Sequence, residues 1–182
     1  MYRRATIDDA PFISETVVTS WRDTYADFLS SSFLASLHQN PHHNVRSWEN
    51  RLREPGSVTW IICNEGADAG VLRITIGASS IPGTDASLTT LYLLQQARRR
   101  GLGSAALLFA RDEASRRGAQ VLGVSVLVGN RLGVRFYEHR GAQRVGERIV
   151  FQLDNEPIME VMYRFVEDTR FLPRTVSERL TS

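Results

Sequence analysis

The chain has 182 residues, of which 42% are hydrophobic and 23% are charged, and this balance is typical of one globular domain rather than of a disordered chain. The formal net charge of +2 gives little reason to expect nucleic acid or an anionic membrane as a partner. The chain start has no apolar signal region, and no apolar run approaches the roughly 18 residues of a membrane span, so the sequence predicts a cytoplasmic protein.

The first half of the chain predicts one short strand, three helices and then a group of strands. Apolar residues recur at helical spacing in the helices, and Thr or Asp precedes the first of them as an N-cap. The strand and the three helices cover about residues 2–5, 6–21, 31–38 and 44–52. Three β-branched or aromatic runs, separated by "EGADAG" and "SIPGTD", then predict an antiparallel meander over about residues 57–94.

The second half predicts alternating helices and strands. A long run of helix formers predicts a helix over residues 103–117, with Gly118 as its C-cap. A strand, a shorter helix that closes on Gly141 and two final strands follow, at about residues 120–128, 130–140, 144–153 and 158–165. This order predicts an α+β or mixed α/β single domain over residues 1–166, with a polar tail over residues 167–182.

A polar turn between the third meander strand and the long helix carries most of the chemical signal. It holds the arginines Arg98, Arg99 and Arg100 and the glycines Gly101 and Gly103. The start of a helix has unpaired N–H groups and a partial positive charge, so it favours anions, above all phosphate. The glycines keep side chains away from those donors, and the arginines add charge. The turn therefore predicts a phosphate-binding cradle, although a solvated basic loop would look similar.

This turn weakly matches one nucleotide-binding motif and does not match a second. "GLGSAA" fits the dinucleotide fingerprint G-x-G-x-x-G/A, but residues 95–100 separate its glycines from the strand, and the acidic residue expected about 20 positions further on is missing. A nucleoside-triphosphate P-loop is excluded because no Gly-Lys-Ser/Thr occurs. The short dinucleotide match is therefore weak.

Two longer segments resemble a known family. "LYLLQQARRRGLGSAALL" resembles the acyl-CoA signature of the GNAT acetyltransferase superfamily, an apolar strand followed by Q/R-x-x-G-x-G/A, here Arg98, Gly101 and Gly103. "NRLGVRFYEHRGAQRVG" resembles its second signature, N-x-x-A-x-x-F-Y-x-x-x-G-F, and includes Asn130 and Tyr137. The two occur in the expected order, and the resemblance extends over most of residues 2–165.

The resemblance implies both a fold and an activity. The fold is a single domain with a central, mostly antiparallel, twisted sheet of six or seven strands flanked by helices. The activity is that of an N-acetyltransferase, which transfers acetyl from its co-substrate acetyl-CoA to a primary amine by direct attack in a ternary complex. A small molecule or a peptide would supply the amine. The alternative is a non-catalytic acyl-CoA-binding or regulatory domain of the same fold.

The resemblance also implies roles for individual residues. The backbone of Leu91 and Leu93 would bind the pantetheine arm, and Tyr137 would be the general acid that protonates the leaving thiolate. Asn130 would bind the cofactor or orient its helix, although an N-cap would look the same. The pyrophosphate would lie in the turn formed by Arg98, Arg99, Arg100, Gly101, Leu102, Gly103 and Ser104.

The general base is unassigned. Many relatives have a glutamate on the strand before the arginine turn, whereas this chain has Ser87, Thr89 and Thr90. Other carboxylates near predicted strand ends or in the first-helix loop are weak candidates, since each is more often a solvated turn residue. They are Asp23, Asp27, Glu65 and Asp85. An amine of low pKa, such as a peptide N-terminus, needs only a water chain to lose its proton.

The acceptor pocket is expected on the N-terminal helices. Trp21 and Tyr25, near Asp23 and Asp27, would suit a cationic amine, although an aromatic helix face buried in the core explains them equally well. The three histidines of "HQNPHHN" give too weak a signal to predict a metal site. Cys63, the single cysteine, excludes a disulfide and is expected to be a buried, inert thiol. The oligomeric state stays open, with a homodimer as one arrangement.

Overall fold

Seven strands form one sheet in the order β1-β2-β3-β4-β5-β7-β6 in the computed structural model, which describes residues 1–77 and 79–166. The strands are β1 (Tyr2–Arg4), β2 (Ser57–Asn64), β3 (Ala67–Ile76), β4 (Ala86–Leu93), β5 (Leu122–Leu127), β6 (Gln143–Leu153) and β7 (Glu156–Phe165). The helices are α1 (Ala10–Tyr25), α2 (Ser31–Ser36), α3 (Pro41–Arg53), α4 (Leu102–Arg116) and α5 (Arg131–His139). The polar tail predicted over residues 167–182 lies outside the described residues.

Neighbouring strands are antiparallel except β4 and β5, which are parallel. This confirms the predicted mixed fold with a mostly antiparallel sheet of six or seven strands. Parallel strands need a long crossover connection, and α4 supplies it between β4 and β5. The arginine and glycine turn therefore lies between the end of β4 and the start of the crossover helix α4.

The two faces of the sheet have separate cores. On one face, the apolar side chains of the central strands pack against the small residues Ala106 and Ala110 of α4. The other face is covered by α1 and α3, where Ile13 and Trp48 pack on Ile61 and Val71. Burial of each large apolar side chain contributes roughly 1.5–3 kcal/mol, so both faces anchor the strands that carry the site.

Two details differ from the sequence predictions. Helix α1 runs to Tyr25, four residues beyond its predicted end, because no glycine or proline interrupts it there. Cys63 is half-buried at the end of β2 rather than buried, with its thiol 3.7 Å from Asp68 Oδ1. In the described residues, no helix is long and apolar enough to cross a bilayer, and no group of three or more His, Cys, Asp or Glu side chains is arranged to hold a metal ion.

Arg3 of β1 ties the sheet to the start of α1 through Asp9. The guanidinium donates to both carboxylate oxygens of Asp9 at 2.8 and 2.9 Å, and the Thr6 N–H donates to the same carboxylate at 2.8 Å. The hydrogen bonds from Arg3, helped by those from Thr6, lower the pKa of Asp9. The ionised carboxylate therefore stabilises the junction between β1 and α1.

We expect acid to weaken this junction. A carboxylate whose pKa is lower in the folded state stabilises the protein above its unfolded pKa of about 3.9, and that stability is lost as pH falls through the lower folded pKa. Asp9→Asn should therefore lower the free energy of unfolding at pH 7 and remove part of its fall below about pH 4, as measured by urea unfolding across pH. Asp8→Asn, at the exposed neighbouring position, is the control. An Asp9→Asn profile parallel to that of the wild type would contradict this assignment.

Candidate active site at the splayed strands

Strands β4 and β5 separate along their length and leave a gap in the sheet. Their pairing covers only Ala86 to Leu88 against Leu122 to Val124, although both strands continue. On its other edge β4 stays paired with β3, with a bulge opposite the step from Arg73 to Ile74. The free edge of β4 therefore faces the gap between the two strands.

The backbone of this free edge is available at Leu91 and partly at Leu93. The Leu94 N–H donates to the Ala69 carbonyl of β3 at 2.9 Å. Backbone groups alternate sides along a strand, so those of Leu91 and Leu93 point away from β3, toward the gap. The Leu93 carbonyl already accepts a hydrogen bond from Arg98 Nε at 2.9 Å. Both backbone groups of Leu91 and the N–H of Leu93 can therefore form hydrogen bonds with a ligand in the gap.

The turn after β4 has the backbone shape of an anion site. Arg99 and Gly101 both have a positive φ, 61° and 79°, and such alternating turns direct successive N–H groups into a concavity. The first backbone hydrogen bond of α4 runs from the Ala105 N–H to the Gly101 carbonyl at 3.1 Å. The N–H groups of Leu102, Gly103 and Ser104 therefore lack an acceptor within the helix and point toward its N-terminal end.

The three arginines of the turn have different surroundings. Arg98 is directed inward: besides the Leu93 carbonyl, it donates to Asp23 Oδ2 on α1 at 3.2 Å. Arg100 lies at the surface, 3.6 Å from Glu65. Among the described residues, no ion pair involves Arg99. Arg98 thus joins the turn to β4 and α1, while Arg99 and Arg100 lie on the solvent side with their charges near the concavity.

Glycine is required at position 101 by the backbone conformation, and not by a lack of room for a side chain. A Cβ at Gly101 would meet nothing within 4 Å, but its φ of +79° disfavours any other residue. We expect Gly101→Ala to lower the free energy of unfolding by about 1–2 kcal/mol. Gly103→Ala is the control, because its Cβ would lie 3.8 Å from Leu93 and Phe136, an ordinary contact, in a helical conformation that favours alanine. Urea unfolding measures both, and an equal loss in the two variants would contradict this interpretation.

Helix α5 brings Asn130 and Tyr137 to the other side of the gap. Asn130 caps the helix by accepting the Gly133 N–H at 2.7 Å. A Cβ on Gly133 would lie 2.7 Å from the Asn130 amide nitrogen and 2.9 Å from Val126 Cγ2, so a larger residue here would require these side chains to shift. Tyr137 is only 8% exposed, and burial together with the nearby Tyr25 raises its pKa. Its hydroxyl therefore carries its proton throughout the neutral range.

Three tyrosines from three elements meet at the gap. Burial raises the pKa of Tyr25, and its neighbours include Asn130 and Tyr92. Burial also raises the pKa of Tyr92, and its neighbours include Trp21, Tyr25 and Tyr137. Tyr25 of α1, Tyr92 of β4 and Tyr137 of α5 are therefore neighbours, although they are far apart in the sequence. Tyr92 was not a candidate at the sequence level, since it looks like an ordinary strand aromatic.

The aromatic residues of α1 lie where the acceptor pocket was expected. The rings of Trp21 and Tyr25 are 5.0 Å apart, and Tyr25 is 3% exposed in a cluster with Leu29 and Leu127. Phe28, just after α1, covers the turn after β5, since a Cβ on Gly129 would lie 2.1 Å from its ring. These residues form a wall over the end of β5, on the face opposite to α4.

Most of the carboxylates that the sequence suggested as candidate bases form hydrogen bonds or ion pairs with other residues. Asp85 accepts the N–H groups of Gln120 and Val121 at 2.8–3.0 Å, and Asp23 pairs with Arg98. Thr89, on the strand where relatives have a glutamate, contacts the buried guanidinium of Arg73. The buried carboxylate of this region is instead Glu160 on β7, which is 7% exposed and was not a candidate. Its signal was the one acidic residue at an inward position of the strand "IMEVMYRF", whose other charged residue is Arg164.

The fold and this site are those of a transferase that takes its co-substrate into a split sheet. The family model for the acetyltransferase (GNAT) family matches residues 19–142, which include the splayed strands, the turn and all of α5. The chain belongs to the GNAT acetyltransferase family. This confirms the predicted family and enzyme class, an acyltransferase that uses acetyl-CoA.

Similar proteins agree with this assignment. The chain is 28% identical over 147 residues to the uncharacterized N-acetyltransferase YuaI of Bacillus subtilis, and the match covers 80% of this chain and 81% of YuaI. Two solved structures share the fold. PaiA N-acetyltransferase from Thermoplasma acidophilum, in complex with coenzyme A, is 21% identical with a TM-score of 0.64, over 88% of this chain and 96% of that one. YncA from Salmonella typhimurium, with acetyl-CoA, is 16% identical with a TM-score of 0.64, over 96% and 98%.

Proposed function

We propose that the protein transfers an acetyl group from acetyl-CoA to a primary amine of a small molecule or peptide in the cytoplasm. The observation that carries this proposal is the alignment of three features along one gap. The free edge of β4 offers backbone groups, the turn at the start of α4 offers N–H donors at one end, and Tyr137 of α5 lies near Tyr92 of β4. A thioester with a long amide-containing arm and a pyrophosphate matches this order of groups.

The residues that would hold acetyl-CoA follow from their hydrogen-bonding groups. The amides of the pantetheine arm would pair with both backbone groups of Leu91 and with the Leu93 N–H, as an added strand pairs with a sheet edge. The pyrophosphate would accept hydrogen bonds from the N–H groups of Leu102, Gly103 and Ser104. Arg99 and Arg100 would contribute charge, whereas Arg98 would hold the turn against β4.

The chemistry needs one acid and a path for two protons. The ammonium nitrogen first loses a proton to water and then bonds to the thioester carbon as the carbon–sulfur bond breaks. The Tyr137 hydroxyl donates its proton to the departing thiolate, and the second proton lost by the nitrogen restores the hydroxyl through solvent. The products are the acetylated amine, the CoA thiol and one proton. Asn130 would position α5, and thus Tyr137, through its cap.

Thermal unfolding with candidate ligands tests the binding half of this proposal. A ligand at 100 times its Kd stabilises the folded state by about 2.7 kcal/mol, which raises the Tm of a chain of this size by roughly 5–10 °C. We expect such a shift with acetyl-CoA and with CoA, and a clearly smaller one with NAD or ATP. A shift with only NAD or ATP would overturn the proposal in favour of a nucleotide-binding function.

The alternative, an acyl-CoA-binding or regulatory domain without turnover, predicts the same thermal shift. Release of the CoA thiol in the presence of an amine panel separates the two. The buried and protonated Tyr137 at the gap favours the enzyme, because a domain that only binds needs no proton donor at this position.

A further inference from the structure

The face of the sheet that α1 covers has one buried carboxylate that the proposed chemistry does not use. Strand β7 alternates between the two faces: Val161 and Tyr163 belong to the core against α4, whereas Ile158 packs with Tyr25 on the opposite face. Glu160 has the same parity as Ile158, so its side chain lies on the face of Tyr25. It is the one Asp or Glu that is buried among the described residues.

Glu160 lies next to the gap but not in it. It is directly opposite Leu127, the last residue of β5, and Leu127 packs with Tyr25 and Leu29. Ile158, on the same face of β7, packs in the same cluster as Tyr25. Burial raises the pKa of Tyr25, and the charge of Glu160 adds to this rise. Neighbouring strands are about 4.8 Å apart, so β5 separates Glu160 from an amine that attacks within the gap.

Only part of the hydrogen-bonding capacity of Glu160 is used. Arg148, its cross-strand partner on β6, donates from Nε to Oε1 at 2.6 Å and also donates from Nη1 to the Ser80 carbonyl at 3.3 Å. Within the described part of the chain, Oε2 has no hydrogen-bond partner, although the Glu160 side chain is only 9% exposed. An ionised carboxylate accepts several hydrogen bonds, and Oε2 is not fully buried, so a ligand can reach it. A cationic group of a ligand would satisfy the free oxygen.

We propose that Glu160 binds a second cationic group of the acceptor, so that the preferred substrate is a diamine or polyamine rather than a simple monoamine. One nitrogen of this acceptor reacts in the gap while another, as an ammonium ion, donates to Glu160 Oε2. Trp21, which is only partly buried beside Tyr25, would contact the apolar chain between the two nitrogens. This inference rests on the proposed function, which supplies the reacting amine. Binding of the second ammonium group to Glu160 can, however, be measured without turnover.

Direct binding tests the site independently of turnover. Calorimetry on the CoA-loaded protein would compare 1,4-diaminobutane with butylamine, which has the same carbon chain but a single charge. We expect the diamine to bind more tightly, and Glu160→Gln to weaken its binding about 10- to 100-fold while leaving butylamine unchanged, as expected for loss of a hydrogen bond between charged groups. Glu156→Gln, at an exposed position of the same strand, is the matched control.

Steady-state kinetics and a second variant, Glu160→Asp, provide two further tests. In steady-state assays, Glu160→Gln should raise the KM for the diamine with little change in kcat, and the KM for acetyl-CoA should stay constant. Glu160→Asp keeps the charge but retracts it by one methylene, so it should shift the preference toward 1,5-diaminopentane, and this variant remains informative if Glu160→Gln does not fold.

Several outcomes would overturn the inference. They are equal binding of diamine and monoamine to the wild type, equal losses for both ligands in Glu160→Gln, or an unchanged chain-length preference in Glu160→Asp. Binding that depends on Glu160 without any acetyl transfer would support the ammonium site while contradicting the proposed function.

Discussion

Replacement of Tyr137 by phenylalanine is expected to lower kcat by about 10²- to 10⁴-fold, the usual contribution of a general acid. The ring of Tyr137 is 8% exposed and packs against Phe136 and Phe165, so phenylalanine preserves the packing and removes only the hydroxyl. The affinity for acetyl-CoA should change little, because the backbone of β4 and the turn before α4 provide the proposed binding groups. Stopped-flow or steady-state detection of the released thiol, combined with calorimetric CoA binding, measures both quantities.

Tyr163→Phe is a matched control for this experiment. Tyr163 is also buried, at 1% exposure, and its hydroxyl donates to Glu138 at 3.0 Å. Burial, together with hydrogen bonding to Glu138, raises the pKa of Tyr163 to about 12, so it too is protonated at neutral pH. We expect Tyr163→Phe to cost about 1 kcal/mol of stability and to retain activity. If Tyr137→Phe retained full kcat, or if both variants lost it equally, Tyr137 would not be the acid.

Replacement of Gly70 by alanine is expected to have the largest effect on stability. A Cβ at Gly70 would lie 2.4 Å from the Tyr92 carbonyl oxygen and 2.8 Å from Leu93 Cδ2, so the backbone of β4 would have to move. Overpacking of this kind typically costs 1–3 kcal/mol, or about 2–4 °C in Tm for each kcal/mol in a chain of this size. Because Tyr92 and Leu93 line the gap, we also expect weaker binding of acetyl-CoA. Differential scanning calorimetry and CoA titration measure the two effects.

Gly123→Ala is the control for Gly70→Ala, because its added Cβ would meet side chains and not the backbone of a neighbouring strand. Gly123 is also inside a strand, but a Cβ there would meet side-chain atoms of Thr84 and Ile81 at 2.9–3.0 Å. Side chains in a loop can rotate away, so we expect a smaller loss of stability and no change in CoA affinity. A loss in Gly123→Ala as large as that in Gly70→Ala would contradict the assignment of the strain to the β4 backbone.

The regular elements were predictable from the sequence because their signals are local. β2 coincides with the predicted run over residues 57–64, since an apolar, β-branched run followed by a glycine turn is distinctive. The end of α4 was predicted from Gly118, which has a φ of +88°. The end of α1 and the start of α3 were less accurate: no glycine or proline stops α1 after Trp21, and α3 begins three residues early, at Pro41, after the N-cap Asn40.

The cradle, Tyr137 and the aromatic pair Trp21 and Tyr25 were candidates from the sequence, whereas Tyr92 and Glu160 were not. The cradle is one continuous turn, so its donors and glycines appear together in the chain. Tyr92 lies on β4 and Glu160 on β7, two strands on either side of β5, and no local pattern brings them together. The inward direction of Arg98 is of the same kind, because it depends on where α1 places Asp23.

The central claim is that the gap between β4 and β5 is the site of acetyl transfer from acetyl-CoA to an amine. The most direct measurement incubates the protein with acetyl-CoA and a panel of mono-, di- and polyamines and detects both the released CoA thiol and, by mass spectrometry, the acetylated amine. We expect the two products to form in equal amounts with at least one amine and to be strongly reduced in Tyr137→Phe. Thermal stabilisation by acetyl-CoA without acetylated product from any amine would contradict the claim and favour a binding domain.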